Sequence, residues 1–133
     1  MPGVRDVIVL EGINDIKGTP EATDAAVFED AYRAIVARAH AHGIRVIGAT
    51  LTPYGGHGAY TEARDAVRRT VNAFIRTGGL FDAVADFDAA VRDPAAPYRI
   101  RPAYDPGDHL HFNDAGMRAL AATVDLAGLL PAT

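Results

Sequence analysis

Apolar residues follow one another along this chain in two alternating rhythms. Val7, Ile8, Val9 and Leu10 form an unbroken, mainly β-branched run that ends at Glu11 and Gly12, the pattern of a strand buried on both faces of a parallel sheet. From about residue 21 to residue 42 the period changes. Ala25, Phe28, Tyr32, Ile35, Val36 and Ala39 recur at steps of three and four, which places them on one helical face, and Gly43 supplies a stop. Residues 44–51 return to a strand-like run, and Pro53, Tyr54, Gly55, Gly56, His57 and Gly58 form a Gly-rich loop behind it. Residues 60–76 are again helical, with Ala63, Val67, Val71, Phe74 and Ile75 on one face and Gly78 and Gly79 at the end. Residues 81–87 predict a third strand. Residues 88–106 are polar and proline-rich and predict a long loop with at most one turn of helix. Asn113 and Asp114 then cap a last helix running to about residue 126, with Met117, Leu120, Ala121 and Val124 facing inward.

Strands alternating with helices predict an α/β fold built on a short parallel sheet of about three strands. A chain of 133 residues, 49% of them hydrophobic, suits a single domain spanning residues 1–133. The net charge of −4 is scattered along the chain, without the basic patch that nucleic acid requires, so no nucleic-acid partner is expected. No apolar stretch approaches the roughly 20 residues that span a bilayer, and no basic-then-apolar leader opens the chain. The expectation is therefore a soluble chain with no membrane partner and no signal peptide, in an undetermined compartment. There is no cysteine, which removes disulfides, thiolate zinc sites and a cysteine nucleophile together. There is no serine either. A mechanism that needs a side-chain serine must borrow it.

Two segments carry candidate chemistry. Gly12, Ile13, Asn14 and Asp15 follow the first strand directly, at the carboxyl edge where open α/β sheets bind ligands. Glycine there allows close backbone approach to a substrate, and an Asn amide donates to an oxygen that gains charge. Alone, the segment reads first as a strand-end turn, since Gly, Asn and Asp are the usual turn formers. The second segment is Asp108, His109, Leu110 and His111, just before the last helix. On a tight loop, this spacing lets Asp108 fix the tautomer of His111, as a general base requires. Alone, it is equally a surface loop leading into a helix cap. His57 reads as a solvated loop residue, and His40 and His42 as structural residues near a helix C-terminus. His109 and His111 with Asp108 lack a distant third ligand, so no metal is assigned.

In this order and at this separation, the two segments resemble the SGNH (GDSL-type) hydrolases, whose third block reads Gly-x-Asn-Asp and whose fifth reads Asp-x-x-His. Gly12, Asn14 and Asp15 match the third block, and Asp108 and His111 match the fifth. The wider stretches 9–16, 48–53 and 108–119 strengthen the likeness. The resemblance implies a flavodoxin-like three-layer α/β/α fold and hydrolysis of a small ester without a cofactor. It casts His111 as the proton shuttle under Asp108, with Gly12 and Asn14 on the oxyanion and substrate side. The family's nucleophilic serine and a further oxyanion glycine belong to upstream blocks with no match here, so the expected fold is a truncated one. Residues 7–10 would then form an apolar edge strand with no Lys or Pro to discourage pairing.

Two copies are expected to complete the sheet as a homodimer across a two-fold axis through Val7, Ile8, Val9 and Leu10. Burying even ~400 Å² of apolar surface contributes ~10 kcal/mol gross, comparable with the stability of a whole domain. The functional expectation is a small ester hydrolase in which water, or the hydroxyl of Thr50 or Thr52, replaces serine. The alternative is an inactive remnant or binding module, or a fragment that needs an N-terminal half carrying the serine.

Overall fold

Each continuous apolar run becomes a strand, and the strands pair in parallel. In the computed structural model, which describes residues 2–129, β1 (Asp6–Val9), β2 (Arg45–Ala49) and β3 (Ala83–Ala85) form a sheet in the order β1-β2-β3. Val7 stands opposite Val46, Ile8 opposite Ile47, and Gly48 opposite Val84. The helices are α1 (Ile13–Lys17), α2 (Ala25–Ala41), α3 (Glu62–Thr77), α4 (Phe87–Val91), α5 (Asp114–Thr123) and α6 (Leu126–Leu129), with a 3₁₀ turn at Pro102–Tyr104.

Neighbouring residues of β2 point to opposite faces, and each face has its own core. Val46 packs with Val9, Phe28, Tyr32, Val36, Val67, Val71 and Ile75, so α2 and α3 cover one side. Ile47 packs with Ala49, Ala85, Phe87, Val91 and Leu120, so α4 and α5 cover the other. The result is the three-layer α/β/α arrangement expected of the sequence. β2 is covered on both faces. β1 is an edge strand that runs Asp6–Val9 rather than through Leu10, with Val7 and Ile8 exposed and Leu10 exposed just beyond its end.

The structure corrects several local expectations. Residues 13–17 form a helical turn rather than an open turn, because Asp15 N and Ile16 N donate to Gly12 O. α2 begins at Ala25 rather than near residue 21, where the Asp24 side chain caps Ala26 N. The third strand spans three residues instead of seven. Asp82 N still donates to Val46 O of β2 while the Asp82 side chain accepts Val46 N, and Asp86 caps α4 through Ala89 N. Residues 88–106 are less open than expected, since α4, the 3₁₀ turn and a bridge between Arg92 and Ile100 occupy them. α5 stops at Thr123 and turns Gly116 and Leu120 inward, with Ala119 packed beside them. Met117 is 57% exposed and Ala121 is exposed as well, so the buried stripe is rotated by one residue from the expected one. In α3, Ala63 is exposed, while Asp65, Arg68 and Asn72 are buried beside the apolar stripe. Hydrophobic periodicity does not reveal such a face, because its buried groups are polar and satisfied by partners.

Candidate active site

Parallel strands deliver their carboxyl ends to one edge of the sheet, where the first sequence-selected segment follows β1 directly, while the second touches the loop after β2 through the His109 ring at Gly56. After β1, the turn at Gly12 is fixed from α2. The Tyr32 hydroxyl donates to Glu11 O at 2.6 Å. Burial pushes the Tyr32 pKa up to about 12, with Glu11 and Asp15 adding to it, so the phenol stays a neutral donor. Gly12 has φ 131°, and a Cβ there would lie 3.1 Å from the Phe28 ring and 3.3 Å from the Tyr32 hydroxyl. The close approach that requires glycine is therefore to Phe28 and Tyr32, where the sequence argument placed a substrate. Asn14 and Asp15 are exposed on the first turn of α1, which fully buried Ile16 anchors.

After β2 the backbone enters a buried polar seam. Asn72 brackets Leu51, accepting from Leu51 N at 2.7 Å and donating to Leu51 O at 2.8 Å. Arg68 donates to Leu51 O, to Asp65 at 2.8 Å and to Asp88 at 3.0 Å. Thr50 is buried, and its hydroxyl both donates to Asp86 and accepts Asp88 N. That hydroxyl is spent on the fold, which removes Thr50 as a nucleophile. Thr52 is partly exposed. Farther along, Gly55 N donates to Tyr98 O at 2.6 Å. Gly56, with φ 95°, lies against the His109 ring so closely that a Cβ would sit 3.1 Å from it.

The segment carrying Asp108 and His111 is closed at its base. Asn113 N donates to Tyr104 O at 3.0 Å, the Asn113 amide donates to Ala103 O, and its oxygen caps α5 at Gly116 N. Within the loop, one Asp108 oxygen accepts Leu110 N and His111 N, and the other meets His111 Nδ1 at 2.5 Å. A carboxylate partner assigns the proton to Nδ1 and leaves Nε2 as the basic nitrogen. The His111 side chain is 75% exposed.

Sequence reasoning missed a second pair. Asp105 meets His109 Nδ1 at 2.5 Å and accepts Gly107 N and His109 N with its other oxygen. Burial raises the Asp105 pKa, but these hydrogen bonds outweigh it and hold the carboxyl below its usual range. The succession Asp105, Pro106, Gly107, a turn signal with a capping carboxylate, was the available clue. A cavity of about 380 Å³ adjoins this pair, with Gly55, Tyr98 and Arg99 in its wall. A somewhat larger cleft of about 440 Å³ lies between α3 and α4. Its guanidinium groups from Arg68, Arg69, Arg76 and Arg92 are paired with carboxylates, and we read it as a structural network.

The other histidines serve the fold. His40 Nε2 meets Asp82 at 2.7 Å, His42 Nδ1 meets Arg38 O, and His57 Nδ1 accepts Ala59 N. Among the described residues, no three His, Cys, Asp or Glu side chains are placed to hold a metal ion. No described helix is long and apolar enough to cross a membrane.

Comparison with known proteins agrees with this architecture. The family model described as GDSL-like Lipase/Acylhydrolase family matches residues 2–119. A solved structure of a candidate acylhydrolase from Bacteroides fragilis aligns with a TM-score of 0.70 at 19% identity, covering 92% of this chain and 60% of its own. A GDSL-like lipase from Bacteroides thetaiotaomicron aligns with a TM-score of 0.69 at 16% identity, covering 90% of this chain and 60% of its own. At such identities the likeness shows the fold. This chain spans 60% of the length of both proteins. No curated protein matches it in sequence.

The electrostatics of the loop give a direct test. The His111 ring first, and then the His111 and Leu110 amides, hold the Asp108 carboxyl well below the ordinary carboxylate range. Its contribution to the loop is thus complete above the free-carboxylate value of about 3.9 and is lost as pH falls through the lower folded value. His111→Ala removes the largest cause. The Asp108 carboxyl carbon, followed by NMR, should therefore titrate at higher pH in the variant than in the wild type. Equal midpoints would show that the ring does not hold the carboxylate.

Proposed function

Because the chain belongs to the GDSL-like lipase/acylhydrolase family, we propose that it hydrolyses small esters, with His111 as general base, Asp108 as its orienting carboxylate and Asn14 as oxyanion donor. The observation that carries this reading is the Asp108–His111 pair: a carboxylate on Nδ1 of an imidazole that otherwise faces solvent. No serine stands among the 133 residues and the Thr50 hydroxyl is engaged by Asp86 and Asp88, so this reading takes water as the nucleophile, with the Thr52 hydroxyl as the alternative within this chain. His111 Nε2 takes a proton from water as its oxygen attacks the ester carbonyl, and the carbonyl electron pair moves onto oxygen. The Asn14 amide donates to that oxygen, with Gly12 shaping the turn. Collapse of the tetrahedral intermediate expels the alcohol oxygen, which takes the proton back from His111 and leaves acid and alcohol. General-base and oxyanion contributions are each worth orders of magnitude in rate, and triads stripped of their nucleophile retain some catalysis.

A second reading is favoured by one comparison. The chain covers 60% of its two solved relatives, so the same pair can serve a serine supplied by a separate N-terminal segment. Hydrolysis of p-nitrophenyl acetate separates these readings. With water as nucleophile, the wild type exceeds the buffer rate alone, and His111→Ala or Asn14→Ala lowers the enzymatic part by about 100-fold. Activity that emerges only when the N-terminal portion of a relative is added selects the second reading. Equal rates for wild type and His111→Ala under both conditions leave an inactive remnant or binding module.

We also propose that two copies pair through β1. Val7 and Ile8 of this edge strand are exposed, as is Leu10 just beyond its end, and an apolar edge without Lys or Pro favours pairing with another strand. Light scattering behind size exclusion should give twice the 14.1 kDa chain mass, and Ile8→Lys should return the protein to the single-chain mass. A wild type of single-chain mass at micromolar concentration contradicts the pairing.

A further inference from the structure

The Asp105–His109 pair has no part in the hydrolytic reading, although it repeats the bonding of Asp108–His111 almost atom for atom. In both, one carboxylate oxygen accepts two backbone N–H groups and the other meets the Nδ1 of a histidine three or four residues on. The two turns overlap. Asp108 lies between Gly107 and His109, the residues whose amides bind Asp105, so the backbone that presents Asp108 is held from both sides by the Asp105 carboxylate.

Three further observations give the arrangement its direction. His109 has φ 62°, a left-handed conformation uncommon outside glycine and tolerated by histidine better than by most residues. Its ring rests on Gly56, where the absence of a side chain is what makes room. Its side chain is 45% exposed, against 75% for His111. His109 is the more enclosed imidazole, wedged between its own carboxylate and the loop that follows β2.

We propose that Asp105 and His109 form a latch that seats the Asp108–His111 turn on the Gly55–Gly56 corner, making His109 a positioning residue for His111. The proposal builds on the reading of His111 as the base, yet the latch itself is independent of turnover. The Asp105 carboxylate fixes the backbone on either side of Asp108, and the His109 ring fixes the turn to the loop after β2 at Gly56. Loss of the ring lets the turn swing on its closed base at Tyr104 and Asn113, and a base displaced by about 1 Å can lose on the order of 100-fold in rate.

His109→Gly removes the ring and keeps the left-handed backbone accessible. Gly56→Ala presses on the ring from the opposite side, so either variant suffices if the other fails to fold. The readout is amide hydrogen exchange, together with the low-field Nδ1–H resonance of His111. The expected result in both variants is exchange at Leu110 and His111 faster by about tenfold or more and a broadened His111 resonance, with α2 and α3 amides unchanged. In an active preparation, kcat falls while KM stays near the wild-type value. Unchanged exchange at Leu110 and His111 in a folded variant overturns the latch. Failure of the hydrolytic reading is seen separately, as equal ester hydrolysis by wild type and His111→Ala, and leaves the exchange result intact.

Discussion

The buried seam behind the carboxyl ends of β2 and β3 is the constraint from which the candidate site takes its shape. Arg68 is 2% exposed, and a guanidinium so placed is tolerable only with partners on several of its N–H groups. It finds them in Asp65, Asp88 and the carbonyl of Leu51, while Asn72 closes both backbone groups of Leu51. Thr50 links the same seam to Asp86 and to the start of α4. The chain leaving β2 therefore cannot shift without opening a network in which Asp65, Arg68, Asn72 and Asp88 are buried. Breaking one partner from such a cluster costs about 3–5 kcal/mol, a large part of a domain's net stability.

From that seam the constraint passes outward. The fixed backbone at Leu51 leads to Gly55, tied to Tyr98, and to Gly56, which receives the His109 ring. The loop that carries Asp108 and His111 is closed at its base by Asn113 and rests on that corner. On the neighbouring strand the path is independent: Phe28 and Tyr32 of α2 shape the turn at Gly12, and buried Ile16 holds the short helix that presents Asn14. The two halves of the proposed chemistry are thus supported by different helices and joined through the pairing of β1 with β2. This division explains how exposed reactive groups can have defined positions in a small domain.

Much of the scaffold was legible because it rests on periodicity. The β-branched run at Val7 and the three-and-four spacing from Phe28 to Val36 leave few alternatives for strand and helix. The Asp108–His111 pair was legible from spacing, since a carboxylate three residues ahead of a histidine on a loop has few other partners within reach. Hidden features were those in which polar residues do what apolar ones usually do. The inward face of α3 at Asp65, Arg68 and Asn72 has no hydrophobic signature, and Thr50 resembled an available hydroxyl because its two partners are 36 and 38 residues away. Asp105 carries no distinct sequence signal beyond its turn, since its partner is another histidine of the same short loop. Met117 lies outward because α5 is rotated, for Gly116 in its first turn permits close packing that hydrophobicity alone does not register.

The proposed chemistry requires Asn14 and His111 to share one rim of the sheet, and the absence of cysteine from the chain makes that directly measurable. A nitroxide attached at Asn14→Cys is the sole spin label, and its relaxation effect can be read at each backbone amide. Strong broadening is expected at Leu110 and His111, with sharp signals retained at Gly43 and Gly79, which precede β2 and β3 at the opposite edge. Broadening at Gly43 with an unaffected His111 would contradict it.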